Sequence, residues 1–328
     1  MKKALVTGGA GFIGSHMVDL LIKKKYQVVV LDNFVAGNRK NLLQHKNNKK
    51  LKIINKDIKS IKKNDRNFKN IKYIFHFAGL GDIVPSIEKP KEYIMNNAIG
   101  TLNILEAARY NNVKKMVYAA SASCYGINNK KIDETAEINL EHPYALSKYM
   151  GEELLLHWVR VFGLNANSIR IFNAYGTRSK TSGQYGAVFG VFFKQKLQNQ
   201  PLTIVGNGKQ KRDFVYVTDV AKAFYQAAIS KKNGQIFNIA SNKPIEVNFL
   251  ASLISNEKIH VPKRPGEPFC SWGNINKAKR DLGWSPKVKF KDGVNKMLKN
   301  ISYWNAAPLW TKKKIKLATK TWFKYLKK

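Results

Sequence analysis

The stretch KALVTGGAGFIG, residues 3–14, runs from a short apolar strand through a glycine-rich turn into a helix. We expect Gly8 to allow the tight bend, Gly11 to let the backbone approach a bound group, and Gly14 to let helix and strand pack closely. The first turn of the helix then offers free N–H groups and the positive end of the helix dipole, which suit phosphate. The stretch therefore predicts a dinucleotide-binding turn.

An acidic residue ends the second predicted strand, residues 27–32. A carboxylate at Asp32 would accept hydrogen bonds from the adenosine ribose hydroxyls and repel a 2′-phosphate, which favours NAD over NADP. Arg39 and Lys40 follow a few residues later and would weaken that preference. We expect NAD as the cofactor.

Strands and helices alternate over the first half of the chain, which predicts an α/β fold with a Rossmann-type doubly wound parallel sheet. The predicted strands are residues 3–6, 27–32, 51–55, 71–77, 115–120 and 165–172, and the predicted helices are residues 14–24, 91–110 and 144–162. The pattern weakens after residue 174, where we expect a smaller C-terminal α/β region that binds the substrate. We place the NAD-binding Rossmann domain at residues 1–173 and 212–242, and the substrate-binding region at residues 174–211 and 243–328.

The composition is that of a globular protein, with 44% hydrophobic residues but a formal net charge of +37. Such a charge attracts polyanions, yet the lysines are spread along the chain instead of forming one block, so we expect no specific nucleic-acid site. The N-terminus is not typical of a signal peptide. Cys124 and Cys270 have no metal-like or redox spacing, which favours a cytoplasmic protein with reduced thiols and no metal.

The segment HPYALSK, residues 142–148, places Tyr144 and Lys148 four residues apart, on one face of a predicted helix. A phenol is a poor base at neutral pH, but a neighbouring ammonium group stabilises the phenolate and lowers its pKa. Ser121 directly follows the fifth predicted strand and is our candidate to hydrogen-bond the reacting oxygen. Ser123 is the alternative, or a further substrate contact. The three residues predict proton transfer beside a nicotinamide.

Several motifs together resemble the extended short-chain dehydrogenase/reductase family, and within it the nucleoside-diphosphate-sugar 4-epimerases. They are the glycine stretch with Thr7 in front of it, the pair at 57–58, and segments 77–79, 97–101, 121–126, 142–148, 170–176, 212–220 and 264–267. The resemblance implies cofactor contacts from Gly8, Gly11, Phe12, Ile13, Gly14, Asp32, Asn33, Asp57, Ile58, Phe77, Ala78, Gly79, Asn97, Tyr144 and Lys148. It implies substrate contacts from Ser123, Asn173, Arg212, Arg264 and Ser271.

The resemblance implies an NAD-dependent epimerisation at C4 of a nucleoside-diphosphate sugar through a transient 4-keto sugar. Family dehydratases carry an acidic pair after the catalytic hydroxyl, whereas this chain has Ala122 and Ser123. The small Ser271 weakly favours a UDP-N-acetylhexosamine beside UDP-glucose and UDP-galactose, although Trp272 next to it would cancel that argument if it filled the space. The alternatives are a 4-ketosugar reductase, a 4,6-dehydratase, a decarboxylase, or a non-enzymatic scaffold on an anionic surface.

The basic C-terminal tail, residues 308–328, predicts a helix that Thr311 caps, with an apolar stripe at Ile315, Ala318, Trp322 and Leu326. The stripe has three possible uses: docking on the smaller region, joining a dimer interface, or touching anionic lipid. We favour docking over membrane contact. We expect a homodimer that takes a nucleoside-diphosphate sugar as its substrate.

Overall fold

A computed structural model describes residues 2–179, 188–263 and 266–326. It contains strands β1 (Lys3–Thr7), β2 (Gln27–Asp32), β3 (Leu51–Asn55), β4 (Tyr73–His76), β5 (Lys115–Ser121), β6 (Ala166–Ile171), β7 (Asn173–Tyr175), β8 (Leu202–Val205), β9 (Lys211–Arg212), β10 (Phe214–Tyr216), β11 (Ile236–Ile239), β12 (Ile245–Glu246) and β13 (Lys258–Val261). Its α-helices are α1 (Phe12–Lys23), α2 (Ile83–Glu88), α3 (Pro90–Ile94), α4 (Gly100–Tyr110), α5 (Pro143–Phe162), α6 (Val188–Leu197), α7 (Val217–Ile229), α8 (Val247–Ser252), α9 (Asn276–Leu282), α10 (Phe290–Leu298), α11 (Lys312–Ala318) and α12 (Lys320–Tyr325).

Seven parallel strands form the central sheet in the order β11-β6-β5-β4-β1-β2-β3. Side chains alternate between its faces, so Val6 joins the apolar cluster with Met17 of α1 and Phe224 of α7. Leu5 joins the opposite cluster with Ile104 of α4. Helices therefore cover both faces, as a parallel sheet requires. The predicted α/β class and doubly wound parallel sheet are confirmed.

The smaller region has a core of its own, in which Phe192, Phe193 and Trp304 are fully buried. Three two-stranded sheets accompany it, β7 with β10, β9 with β12, and β8 with β13. The chain returns from this region to place β11 beside β6 at the edge of the central sheet. The division at residues 173, 211 and 242 stays a prediction.

The predicted helix over residues 91–110 is interrupted by a different kind of helix. A π-helical segment, Met95–Ile99, joins α3 to α4. A π-helical turn contains about one residue more than an α-helical turn. Residues 95–99 include no Gly or Pro, so the sequence gives no signal of this change. Such segments are frequent at functional sites.

The predicted tail helix is two short helices, because the chain breaks at Thr319. The side chain of Thr311 accepts a hydrogen bond from the Lys314 N–H, which is the predicted cap. Ile315, Trp322 and Leu326 are all buried against the rest of the chain. Ile315 packs in the core of the smaller region, as the docking prediction has it, whereas Trp322 and Leu326 pack on α2 instead. No helix within the described ranges combines the length and apolar character needed to cross a bilayer.

Candidate active site

A cavity of about 850 Å³ opens at the carboxyl ends of the central strands. Gly8 after β1, Asp32 at the end of β2 and Phe77 after β4 all line it. The sheet reverses its strand order beside β1, and open α/β sheets bind ligands at such a reversal. Arg212 and Ser271, from the second half of the chain, close the other side.

The glycine turn has the geometry that its sequence predicts. Gly8 lies at φ +66°, and a Cβ there would stand 2.7 Å from the Ala78 backbone nitrogen. A Cβ on Gly14 would collide with the Gly8 carbonyl oxygen. Gly11 forms the N-cap of α1 without a capping side chain, so the first N–H groups of α1 lie open to the cavity that Phe12 and Ile13 also line. This arrangement fits the pyrophosphate of a dinucleotide.

Asp32 is almost fully buried at the cavity edge. Burial raises the pKa of its carboxyl group, and hydrogen bonds from the Phe34 and Ala10 N–H groups oppose that rise. The two bonds are 2.8 and 2.9 Å long. They tie the end of β2 to the glycine turn and leave carboxylate lone pairs for a ribose.

The resemblance implies cofactor contacts from Asn33, Asp57 and Ile58, but only two of these three residues line the cavity. Asn33 and Ile58 line the cavity, as does Lys56. Asp57 is not among the described residues that line it. Instead the Asp57 carboxylate accepts hydrogen bonds from the Asn33 side-chain amide at 3.1 Å and from the Lys59 N–H at 2.8 Å. Its contact with the cavity is therefore through Asn33.

Asn97 occupies the π-helical segment and braces the loop that follows β4. Its side-chain oxygen accepts from the Leu80 N–H at 2.7 Å, and its amide donates to the Leu80 carbonyl at 3.0 Å and to Ser147 Oγ at 2.9 Å. Asn97 is fully buried and, unlike Ala78 and Gly79, is not one of the described residues on the cavity wall. Its influence on a ligand is through the loop it holds.

Ser121, Tyr144 and Lys148 line the same cavity, and the Tyr144 hydroxyl hydrogen-bonds Ser121. Ser121 is the last residue of β5, and its Oγ accepts from the Ser123 N–H at 3.2 Å and donates to Ser123 Oγ at 3.0 Å. Tyr144 is the second residue of α5, and Lys148 lies one turn later. The structure thus brings together the hydroxyl, phenol and amine that the sequence singles out.

Burial dominates the electrostatics of Tyr144 and Lys148. It raises the pKa of Tyr144, while a hydrogen bond with Ser121 opposes that rise. It lowers the pKa of Lys148 to about 7, against the attraction of the Glu152 carboxylate. The Lys148 Nζ lies 4.3 Å from the centre of the Tyr118 ring, which stabilises its charged form.

Two aromatic neighbours of Tyr144 escaped the sequence interpretation. The His142 ring stacks on the Tyr144 ring at 6.0 Å between centroids, and the Tyr93 ring meets it edge-on at 6.4 Å. His142 also caps α5, because its Nδ1 accepts from the Ala145 N–H at 3.1 Å. The sequence signal for His142 was its place before Pro143, at the start of a helix. Tyr93 has no such signal, because its contact with Tyr144 depends on how α3 is oriented against α5.

Four of the five predicted substrate contacts line the cavity: Ser123, Asn173, Arg212 and Ser271. The Arg212 guanidinium donates to the Pro268 carbonyl at 2.9 Å and lies 3.7 Å from a Glu267 carboxylate oxygen. Arg264 lies outside the described residues. Trp272 is described and does not line the cavity; its ring faces the Lys131 ammonium group at 5.5 Å.

A profile of the NAD dependent epimerase/dehydratase family matches residues 4–240, which covers the glycine turn, Ser121, Tyr144 and Lys148. The chain belongs to the NAD-dependent epimerase/dehydratase family. The resemblance drawn from the sequence motifs and the prediction of NAD are thereby confirmed.

Relatives of this family member carry out more than one reaction. A protein of Methanocaldococcus jannaschii whose name proposes a UDP-glucose 4-epimerase is 39% identical over 303 residues, covering 90% of this chain and 96% of that protein. A UDP-N-acetyl-alpha-D-glucosaminuronate decarboxylase of Bacillus cytotoxicus is 32% identical, covering 90% and 97%. The solved UDP-N-acetylglucosamine 4-epimerase of Methanobrevibacter ruminantium M1, in complex with UDP-N-acetylmuramic acid, is 32% identical with a TM-score of 0.87, covering 92% of this chain and 99% of that one.

Proposed function

We propose that this protein interconverts the C4 epimers of a nucleoside-diphosphate hexose, most simply a UDP-hexose or UDP-N-acetylhexosamine. One observation carries the proposal. Tyr144, Lys148 and Ser121 face a single cavity whose other walls are the glycine turn and Arg212. A dinucleotide on the turn and a sugar diphosphate on the arginine would bring nicotinamide and hexose together beside Tyr144.

The chain's own groups have distinct tasks in this scheme. Tyr144 takes the proton of the sugar 4-hydroxyl and later returns it, while Ser121 donates a hydrogen bond to the same oxygen. Lys148 in its charged form stabilises the phenolate and holds the nicotinamide ribose. NAD, when bound, supplies the hydride acceptor and donor. Epimerisation further requires room beside Tyr144 for the 4-keto sugar to turn over.

The sugar itself is proposed from the position of one small side chain. Ser271 presents a small side chain to the cavity, while the neighbouring Trp272 does not line it and its ring faces the Lys131 ammonium group. Trp272 therefore does not occupy the part of the cavity beside Ser271. This supports a 2-acetamido sugar as a substrate beside the unsubstituted hexoses.

The other reactions of the family remain the main alternatives. Ala122 and Ser123 provide no carboxylate after Ser121, which favours epimerisation over dehydration. Carboxylates nevertheless line the cavity elsewhere, at Asp82, Glu141 and Glu267. Asp82 acts electrostatically on Tyr144 and raises its pKa. A base at that position would suit proton removal beside a ketone, so dehydration is the second candidate.

Incubation with UDP-, dTDP-, GDP- and ADP-sugars, without added cofactor, tests the proposal. We expect one of them to yield its 4-epimer, detected by chromatography or NMR. Tyr144→Phe removes the proton-transferring hydroxyl and should lower kcat by ~10²–10⁴-fold. Tyr149→Phe, on the same helix but away from the cavity, is the matched control and should retain activity.

Each competing reaction has its own signature in this assay. A 4-keto-6-deoxy sugar indicates a dehydratase, carbon dioxide release a decarboxylase, and stoichiometric consumption of added NADH a reductase. Salt-sensitive binding to RNA or anionic vesicles without turnover would indicate the scaffold. Any of these results in place of the 4-epimer contradicts the proposal. The homodimer and the cytoplasmic location stay predictions.

A further inference from the structure

The tail helices α11 and α12 dock at two separate places. Ile315 of α11 joins the core of the smaller region, at 5% exposure. Trp322 of α12 instead joins a small cluster of its own with Leu326 and with Val84 of α2, and Ile83 and Ile87 pack on that cluster. The Thr321 hydroxyl adds a hydrogen bond to Glu88 at the end of α2, at 3.3 Å. The tail therefore connects the smaller region to α2.

Helix α2 belongs to the wall of the candidate active site. It begins directly after the loop that Asn97 braces, and its first residue, Ile83, lines the cavity. The Tyr93 hydroxyl donates a hydrogen bond to the Gly81 carbonyl in that loop, and the Tyr93 ring contacts Tyr144. Because the hexose must place its 4-hydroxyl at Tyr144, this part of the wall faces the sugar and not the nucleotide.

Trp322 reaches the same cavity from the tail. It is 4% exposed, and it lines the cavity together with Ile83. On its far side the tail meets the loop at Gly266: a Cβ on Gly266 would stand 3.1 Å from the Leu326 carbonyl oxygen. That loop also lines the cavity, and its Glu267 lies beside Arg212. The tail thus spans the gap between α2 and the arginine side of the site.

We propose that Trp322 is a specificity-determining residue, an indole wall that limits the size of the sugar accepted beside Tyr144. The inference rests on the proposed function, since it assigns the adjoining space to a hexose. An indole is the largest apolar side chain, and its removal opens the cavity on the α2 side. A sugar with a bulky substituent then gains relative to an unsubstituted one.

Trp322→Ala tests the wall through the ratio of two specificity constants. We expect kcat/KM for UDP-N-acetylglucosamine relative to UDP-glucose to rise by ~10-fold or more, since a change in pocket volume discriminates substrates on this scale. The affinity for UDP alone, measured by calorimetry, should stay unchanged. Phe323→Ala is the matched control: it removes the adjacent aromatic ring, which is 37% exposed and does not line the cavity, and should leave the ratio unchanged.

A ratio that is unchanged or falls in Trp322→Ala, or that rises equally in Phe323→Ala, would overturn the inference. Trp322→Phe keeps an aromatic contact with Val84 and gives a smaller rise, so it serves where the alanine variant loses its fold. The dissociation constants of the two UDP-sugars, compared in the holoenzyme, repeat the test without turnover. If the wild-type protein makes no 4-epimer while Trp322→Ala shifts the ratio of dissociation constants, the proposed reaction is contradicted and the wall is supported.

Discussion

Lys148 is buried at 6% exposure beside the Tyr118 ring, and burial lowers its pKa to about 7 in the protein without cofactor. An unfolded lysine has a pKa of about 10.4, so between these two values the unfolded chain holds a proton that the folded chain lacks. Unfolding takes up that proton, and the free energy of unfolding therefore rises with pH across this window. Below it both states are protonated, and the folded state carries the full cost of a buried charge.

Lys148→Met should therefore stabilise the cofactor-free protein, by about 4 kcal/mol near neutral pH. The advantage of the variant should shrink as the pH rises toward about 10, because the amine of the unfolded wild-type chain then loses its proton as well and folding no longer has to remove it. Urea denaturation at a series of pH values measures both effects. Lys279→Met, at an exposed position on α9, should show neither. An advantage that does not change with pH would contradict the assignment.

The residues of the site differ in whether a short stretch of sequence is enough to predict that they lie together. Tyr144 and Lys148 are one helical turn apart, so their spacing alone brings them together. The contact of Tyr93 with Tyr144 depends on how α3 packs against α5, which no spacing encodes, whereas His142 caps the same helix two residues before Tyr144. The sequence therefore predicts the reacting groups but not the aromatic enclosure that buries them.

Asn97 is the one described side chain that pairs both backbone groups of Leu80. Its removal in Asn97→Ala leaves that N–H and carbonyl unpaired near the cavity, which should lower the free energy of unfolding by about 2–4 kcal/mol. The loop is then less well held, so kcat should also fall. Denaturation and turnover measure the two effects.

Asn103→Ala is the control for this prediction. Asn103 donates to the Ile58 and Lys59 carbonyls, and the Lys59 bond is exposed, so water replaces much of what is lost. The stability change should be distinctly smaller than for Asn97, with activity retained. Equal losses in the two variants would show that the loop does not depend on the π-helical segment.

At the scale of elements, a buried ion pair joins helix α5, which carries Tyr144 and Lys148, to strand β6. Arg170 Nη2 lies 2.6 Å from Glu152 Oε1, and the two side chains are 3% and 1% exposed. Glu152 also accepts from the Ser168 hydroxyl at 2.6 Å, and its carboxylate raises the pKa of Arg170 against the effect of burial. The pair fixes the side of α5 that lies one turn beyond Lys148.

Breaking this pair from one side should cost about 3–5 kcal/mol in Glu152→Gln or Arg170→Met, because the remaining group is buried without its partner. The double variant Glu152→Leu/Arg170→Met should lose less than the sum of the single changes. A double-mutant cycle in urea measures the coupling. Glu106→Gln, which breaks the half-exposed pair with Arg109 at 3.1 Å, should have a much smaller effect. Strictly additive losses at 152 and 170 would contradict a coupled pair.

Helices and strands were largely predictable wherever one hydrophobic periodicity, helical or strand-like, dominates the sequence. Strand β2 was predicted at its observed bounds, and α5 began within one residue, because Pro143 marks a first helical turn. The π-helical segment and the break at Thr319 were missed, since neither carries a Gly or Pro. The tail shows the consequence: one apolar stripe in the sequence becomes two docking sites in the structure, at Ile315 and at Trp322.

At the scale of the whole molecule, the site is a product of topology. Gly8, Asp32, Phe77 and Ser121 are far apart in the sequence, and they converge because parallel strands end at one edge of the sheet. Alternation of strands and helices predicts this convergence. The opposite wall, from Arg212 to Ser271, comes from short strands and loops, where the pattern is weak. Motif resemblance supplied those residues, and periodicity alone did not.

The net charge of +37 is a property of the whole chain and has a consequence for its stability. Like charges repel across the folded surface, and salt screens them as the Debye length falls to about 8 Å at physiological ionic strength. The charges of the unfolded chain lie further apart, so salt screening lowers its free energy less than that of the folded protein. We therefore expect Tm to rise by about 2–5 °C between low and physiological salt, measured by scanning calorimetry.

Mild acetylation, which neutralises exposed lysine amines, is the control and should reduce this rise. A bound polyanion would reverse the change of Tm with salt. It would stabilise the folded protein at low salt and be released as counterions compete for the lysines. Tm would then fall with salt, and nucleic acid would accompany the purified protein until the salt is raised. A rise without bound nucleic acid supports the interpretation that the lysines set solubility and self-repulsion, while the few cations at the cavity, Arg212 among them, are the ones that select a ligand.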